Sequence, residues 1–299
     1  MDRDFVGYGS RPPVFEWPGG NRLAISLVLN YEEGSEYALG DGGDRQESLG
    51  EWGVKVFPPG IRNLANESFF EYGSRVGIWR LLDLLERHEV AATVGACAVA
   101  LERNPEAAAA IVSAGHEVTA HGYRWEEHFA MSRDAERERI ALAVESIRSI
   151  TGERPRGWYC RTSPSIHTRE LLVEEGGFVY DSDAYNDDVP YFVDVAGKRH
   201  VVVPYTGDVN DSHTWASNGY ETDFVTYLMN SFDVLYEESR RWPRMMSVGL
   251  HLRMAGRPGR IKAVDEFIRY AKRREGVWFA TRLDIAKAFE AAMSSQPRA

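Results

Sequence analysis

The sequence predicts an α/β protein built as a distorted (β/α) barrel of about seven strands. Apolar strand-like runs alternate with helical patterns almost from end to end, and titratable residues recur just after successive strands. No internal repeat or linker divides the 299 residues, so one domain over 1–299 is expected, with an N-terminal arm over 1–21 and a long inserted loop over 35–70. Repeated alternation implies a parallel sheet covered by helices, and seven or eight such units favour a closed or distorted barrel over an open sheet.

The elements follow in order. Leu23 to Leu29 is an unbroken apolar run and reads as a buried strand. An amphipathic helix over 74–87 precedes a strand over 90–96, and Asn104-Pro105 opens a helix that leads to a strand over 117–120. Ser132 is placed to cap a long helix that stops at Thr151-Gly152. Further strands are predicted over 156–159, 178–180, 201–203 and 245–250, and further helices over 168–175, 221–240, 260–273 and 283–292. The segment 35–70 exceeds a normal connection and is rich in Gly, Pro and acidic residues, which suggests a lid or an oligomer contact.

Composition narrows the function. The chain is 43% hydrophobic and 12% aromatic, ordinary for a globular enzyme, and its formal charge of −10 comes with no basic stripe, so nucleic acid is excluded as a partner. No stretch is long and apolar enough to span a bilayer, and the first 13 residues lack a signal-peptide core, so a cytoplasmic protein is expected. Two cysteines are too few for a disulfide scaffold. No Gly-rich phosphate loop follows any strand.

The candidate chemistry lies at strand ends. Glu32 and Glu33 follow the first strand, His121 the third, Tyr159-Cys160-Arg161 the fourth, Asp181 and Asp183 the fifth, and His251 the last long one. In a parallel barrel those ends face one pocket. Adjacent carboxylates can divide labour, because the first to ionise raises the pKa of the second.

At these positions the chain resembles the NodB-type polysaccharide deacetylases, from about Arg22 to Ala292 and with all five motif regions in order. Asn30-Tyr31-Glu32-Glu33-Gly34 stands where that family carries Thr-Phe-Asp-Asp-Gly, the source of its base and a metal ligand. His121 matches the first residue of its His-x-x-x-His pair, Leu250-His251 its general acid, and Arg161 its orienting arginine. Trp125 replaces the second histidine, and an indole N–H cannot ligate a cation. A metal held by Glu33 and His121 alone would be weak, so no cofactor is expected; zinc or another divalent ion is the alternative, with His128 as a less favoured replacement ligand.

The same departures resemble a branch of the family, the metal-independent bacterial allantoinases and nearby cyclic imide hydrolases. The likeness rests on Gly7-Tyr-Gly-Ser10, Glu71-Tyr-Gly-Ser-Arg75, His121-Gly-Tyr-Arg-Trp125, Tyr180-Asp-Ser-Asp183 and Pro204-Tyr-Thr206. The loop Tyr159 to Thr168 departs from that branch, which leaves the substrate unnamed. The resemblance implies opening of a cyclic amide or imide without a metal, in a homo-oligomer such as a tetramer. Glu33 or Glu32 would take a proton from water, His121 and Arg161 would stabilise the oxyanion, and His251 would protonate the leaving nitrogen. Tyr31, Arg75, Trp125, Tyr159 and Asp183 are candidate substrate contacts, with core packing for Trp125, a salt bridge to Glu71 for Arg75 and a capping role for Asp183 as rival readings. Two other functions stand beside this one, a metal-dependent N-deacetylase of acetylated sugars and an inactive binding protein of the same fold.

Overall fold

Nine strands make one sheet in the computed structural model, which describes residues 3–50, 56–212 and 224–294. The strands are β1 (Leu23–Tyr31), β2 (Thr93–Ala96), β3 (Glu117–Ala120), β4 (Gly157–Trp158), β5 (Tyr180–Asp181), β6 (Tyr191–Val195), β7 (Lys198–Val202), β8 (Arg244–His251) and β9 (Val277–Phe279). All pairings are parallel except the β6–β7 hairpin at one edge, and the order is β6-β7-β5-β4-β3-β2-β1-β8. β1 is buried along its whole length. It pairs with β8 on one edge and with β2 and β9 on the other.

The sheet curls until its ends meet through irregular chain. After β7 the backbone returns to β8, where Gly249 N donates to Val209 O at 2.9 Å and Asn210 forms an isolated parallel bridge with Gly249. Two inward-facing glycines make room for aromatic rings inside the curl: a Cβ on Gly95 would lie 2.5 Å from the Tyr159 ring, and one on Gly249 would lie 2.5 Å from the Tyr205 hydroxyl. Any larger residue there would displace a tyrosine.

The helices packed around the sheet are α1 (Leu64–Tyr72), α2 (Ile78–Arg87), α3 (Ala98–Arg103), α4 (Pro105–Ser113), α5 (Arg133–Thr151), α6 (Thr168–Glu175), α7 (Phe224–Glu238), α8 (Leu252–Ala255), α9 (Pro258–Lys272) and α10 (Arg282–Ser294). Their ends follow the expected chemistry. Asn104 Oδ1 accepts from Ala107 N, Ser132 Oγ accepts from Ala135 N, and Gly152 ends α5 with a left-handed φ of 82°. The helix expected over 74–87 is longer than predicted, because α1 runs through a π turn (Gly73–Gly77) directly into α2. The inserted loop is correspondingly shorter. Part of the helix expected over 221–240 falls on 221–223, outside the described residues.

Two strands escaped the sequence reading. The β6–β7 hairpin turns at Ala196-Gly197, both with positive φ, without the Asn-Gly or Asp-Gly signal that marks such turns. β9 is only three residues long. Among the described residues no helix is long and apolar enough to cross a membrane.

α10 closes the bottom of the curl. Arg282 N donates to Thr93 Oγ1 at 2.8 Å and Leu283 N to Glu117 Oε2 at 3.0 Å, which satisfies orphan N–H groups of the helix start. The fully buried Arg282 side chain reaches across the seam: Nε donates to Ser182 Oγ (2.9 Å), Nη1 to Ser247 Oγ (2.8 Å), and Nη2 to Pro204 O (2.7 Å) and Val203 O. One guanidinium thus ties β5, the segment after β7, and β8. Arg282→Met would leave these buried acceptors without a donor, and we expect a loss of about 3–5 kcal/mol. Urea unfolding of the variant checks this, and an unchanged midpoint would remove Arg282 from the account of closure.

Candidate active site

A cavity of about 600 Å³ opens at the C-terminal ends of the strands, lined by the polar Asn30, Glu32, His121, Arg161, His251 and Arg253 and by the aromatic Trp125, Tyr159, Tyr185 and Tyr205. Strand alternation decides which of the adjacent glutamates reaches it. Residues 30 and 32 point into the curl, whereas Tyr31 and Glu33 point outward against the π turn. There Tyr31 shares a hydrogen bond with Ser74 Oγ at 2.8 Å, and Glu33 packs on Gly73.

Glu32 sits at the centre of a charged ring. Its Oε1 lies 3.4 Å from His121 Nε2 and 3.4 Å from His251 Nε2, and Arg253 Nη1 donates to its Oε2 at 2.7 Å. Burial works to raise the carboxyl pKa, but the His251 and Arg253 charges outweigh it and hold Glu32 well below the usual carboxylate range. For His251 the balance is reversed: burial would lower its pKa, yet the charges of Glu32 and Asp211 push it up to about 10. Asp211 accepts from His251 at both ends, Oδ1 from Nδ1 at 2.6 Å and Oδ2 from the backbone N at 2.8 Å. His251 is therefore an imidazolium at neutral pH, with Nε2 turned to the cavity side of Glu32.

His121 is fixed by different partners. Its Nδ1 lies 2.9 Å from the Tyr159 carbonyl, which can only accept, so Nδ1 carries the proton and Nε2 faces Glu32. Its ring stacks on that of Tyr159 at 3.9 Å. Glu33 stands on the other side of β1, against Gly73. Its Oε2 accepts from Glu32 N (3.1 Å) and its Oε1 from Arg253 N (3.1 Å), while burial, with the Glu32 charge adding to it, raises its pKa to about 7.

Arg161 lines the cavity, but most of its guanidinium is already engaged. Nη1 and Nη2 donate to the two oxygens of Glu47 at 2.8 and 3.0 Å, Nη1 also donates to Trp125 O, and the plane covers the Trp125 ring at 3.8 Å. Nε alone is buried with no partner. Leu49 and Gly50 in the cavity wall, and Glu47 on Arg161, belong to the long loop, so its inner part walls the pocket, as a lid would. Trp125 is thus pocket wall and arginine platform together.

Three expected substrate contacts are corrected. Arg75 lies outside the cavity with three quarters of its side chain exposed, paired to Glu71 at 3.5 Å because the π turn carries it to the surface. Tyr31 faces the helices, as above. Asp183 sits behind the rim, where its Oδ1 accepts from Cys160 N at 2.7 Å; burial and the neighbouring Asp181 charge raise its pKa to about 7. Glu33 likewise lies outside the cavity lining, so of the two glutamates Glu32 alone faces the pocket.

Sequence reasoning missed Arg253, Asp211, Glu47, Asn30 and Tyr205. Arg253 was within reach, two residues past His251 at a strand end. Glu47 lies in irregular chain, with no periodicity to point inward, and Asp211 is helical in a stretch where the sequence predicts no element.

The ligand set of the metal-dependent relatives fits poorly here. Arg253 occupies one carboxylate oxygen of Glu32, Glu33 is held by backbone and guanidinium donors, and Trp125 offers no lone pair. His128 lies elsewhere. With Glu136 and Cys160 it forms the one group of three such donors within 4.8 Å among the described residues. Ser165 and Thr168 hydroxyls donate to Glu136 at 2.5 Å, and Trp158 Nε1 donates to Cys160 Sγ at 3.2 Å, so this buried cluster anchors the rim loop to α5. Burial raises the Cys160 thiol pKa well above its ordinary value, which leaves it a poor nucleophile.

Fold and site together define an α/β enzyme whose acid and base groups converge at the open end of a curled parallel sheet. A family profile described as Polysaccharide deacetylase matches residues 68–172. A Schizosaccharomyces pombe protein provisionally named a polysaccharide deacetylase is 39% identical over 97% of both chains. Among solved structures, a probable polysaccharide deacetylase from Pseudomonas aeruginosa PAO1 superposes with a TM-score of 0.94 at 45% identity, covering 99% of this chain and 100% of that one. PuuE allantoinase superposes with a TM-score of 0.93, also at 45% identity, over 100% and 99%. The chain belongs to the polysaccharide deacetylase family, hydrolases of the carbon–nitrogen bond.

Proposed function

We propose that the protein opens a cyclic amide or imide, of which allantoin is one example, by metal-independent hydrolysis. The observation that carries this reading is Arg253 Nη1, 2.7 Å from Glu32 and 3.5 Å from Glu33: its guanidinium already occupies the acid pair from which a cation would draw its carboxylate ligand. The cavity volume suits a small ring better than a polymer, and its aromatic walls suit a flat one. The likeness to PuuE allantoinase supports the same choice.

In the proposed cycle, Glu32 takes a proton from a water held between it and His121 Nε2, and that water attacks the ring carbonyl. The oxyanion is stabilised by the charge of the Arg161 guanidinium on the cavity wall. As the tetrahedral intermediate collapses, the C–N bond breaks and the leaving nitrogen takes the Nε2 proton of His251. Glu32 then returns its proton to His251 across 3.4 Å, which restores both groups. Asp211 keeps the imidazolium oriented throughout.

Allantoin, hydantoin, succinimide, dihydrouracil and an N-acetyl chitooligomer, each assayed with and without chelator, test the proposal. Ring opening that persists at full rate after chelation is expected. Deacetylation of the oligomer that zinc restores would replace this reading with the metal-dependent one.

A further inference from the structure

Of residues 41–50 Glu47 alone is buried, a charged side chain in an otherwise exposed or half-exposed segment. It meets Arg161 as a bidentate pair at 2.8 and 3.0 Å, with 1% and 4% of the two side chains exposed. Forked pairs of this kind are the firmest that carboxylate and guanidinium make. Arg45 on Glu127 and Arg103 on Asp41 also tie the segment down, but both arginines are about half exposed, and such pairs contribute little. From behind, Asn66 Nδ2 on α1 donates to Leu49 O at 3.1 Å, and Gly50 has no room for a Cβ beside Asn66 Oδ1. Leu49 N donates to Glu47 Oε1 at 2.9 Å, so the carboxylate is joined directly to the residues that wall the cavity. Arg161 leans on the same segment a second time. Its guanidinium lies 3.8 Å from the Trp125 ring and 5.5 Å from the Tyr37 ring, and Glu47 N closes the strap 37–47 by donating to Tyr37 O at 2.7 Å.

We propose that Glu47 is a positioning residue of the active cavity: its carboxylate latches the segment 37–50 over the pocket and in the same contact fixes the direction of the Arg161 guanidinium. Wall and cation are thus assembled together. Glu47 is not part of the cavity lining, so it acts through Arg161 and not on the substrate. The coupling is physical: separating a buried carboxylate from its guanidinium leaves both charges uncompensated, and neither partner holds its place alone. A substrate therefore meets a competent Arg161 only while the strap is closed. This rests on the cavity being the seat of the chemistry and not on which carbon–nitrogen bond is cleaved there.

Hydrogen exchange read by mass spectrometry tests the latch without any ligand. In Glu47→Gln and in Arg161→Met, exchange over 37–50 should rise roughly tenfold, while strand 23–31 keeps its protection. Glu47→Asp keeps the charge one bond short and should fall between wild type and Glu47→Gln. The double variant should exchange no faster than either single one, because each change alone already breaks the pair. Activity follows the same cycle. On the panel compound turned over fastest, Glu47→Gln and Arg161→Met should lower kcat by similar factors, and the double variant should lose no more than the worse of the two. Unchanged exchange over 37–50 in Glu47→Gln overturns the proposal. So does an equal rise over 23–31, which would make Glu47 a general stabiliser, or losses of kcat that multiply in the double variant. Should no compound of the panel be turned over, the hydrolysis reading fails, and the exchange result alone decides the latch.

Discussion

Glu32→Gln is expected to lower kcat on the substrate identified in the panel by about 10³-fold, within the range that a positioned general base contributes, while Glu33→Gln retains most of the activity. The two residues are adjacent and chemically identical, yet only Glu32 lines the cavity. Replacing Glu33 removes a buried acceptor for Glu32 N and Arg253 N, so its effect should be a modest fall in kcat with a loss of stability. Its own titration adds a sign that can be checked. With a folded pKa near 7 against an ordinary value of 4.5, burial of Glu33 favours the folded state fully below pH 4.5 and progressively less as pH rises through 7. Glu33→Gln should flatten the decline in melting temperature over that interval. A Glu33→Gln variant as inactive as Glu32→Gln would refute the division of roles.

The second large effect concerns pH. The proposed acid is the imidazolium of His251, raised from 6.5 to about 10, and the proposed base titrates well below 4.5. The profile of kcat/KM should therefore carry its alkaline limb near pH 10 and its acid limb below 4.5, unlike a bell centred on an ordinary histidine. Asp211 supplies one of the two charges that raise His251, so Asp211→Asn should move the alkaline limb to lower pH and cut the rate at pH 8 by about 10-fold or more. Stability follows the same group. His251 favours the folded state fully below pH 6.5 and loses that contribution as pH rises through about 10, so the melting temperature should fall across that window and fall less in Asp211→Asn. An alkaline limb that stays in place in the variant would show that His251 is not the acid being titrated.

Much of this arrangement is legible in the chain. The strand–helix alternation predicts the barrel-like sheet, and the capping residues Asn104 and Ser132 mark helix starts that the structure reproduces. Glu32, His121, Arg161 and His251 stand at strand ends in the sequence, and the fold brings all four to one cavity. What was not legible has a common cause. Glu47 comes from irregular chain and Asp211 from a stretch where no element is predicted, so no period says which way either side chain points, and their value lies in partners 114 and 40 residues away. Arg75 reads as a motif residue but is carried outward by a π turn that helical periodicity does not foresee.

The sequence by itself determined the family, the order of elements and the strand ends that hold the chemistry, because these depend on local pattern and residue type. Only the tertiary structure decided which of Glu32 and Glu33 lines the cavity. A parallel strand buried on both faces has no polar–apolar alternation along it, and all nine residues of β1 are buried, so its parity could not be read until its neighbours were in place. The same holds for the charges: Glu32 meets the Arg253 guanidinium only when a residue 221 positions away is folded against it.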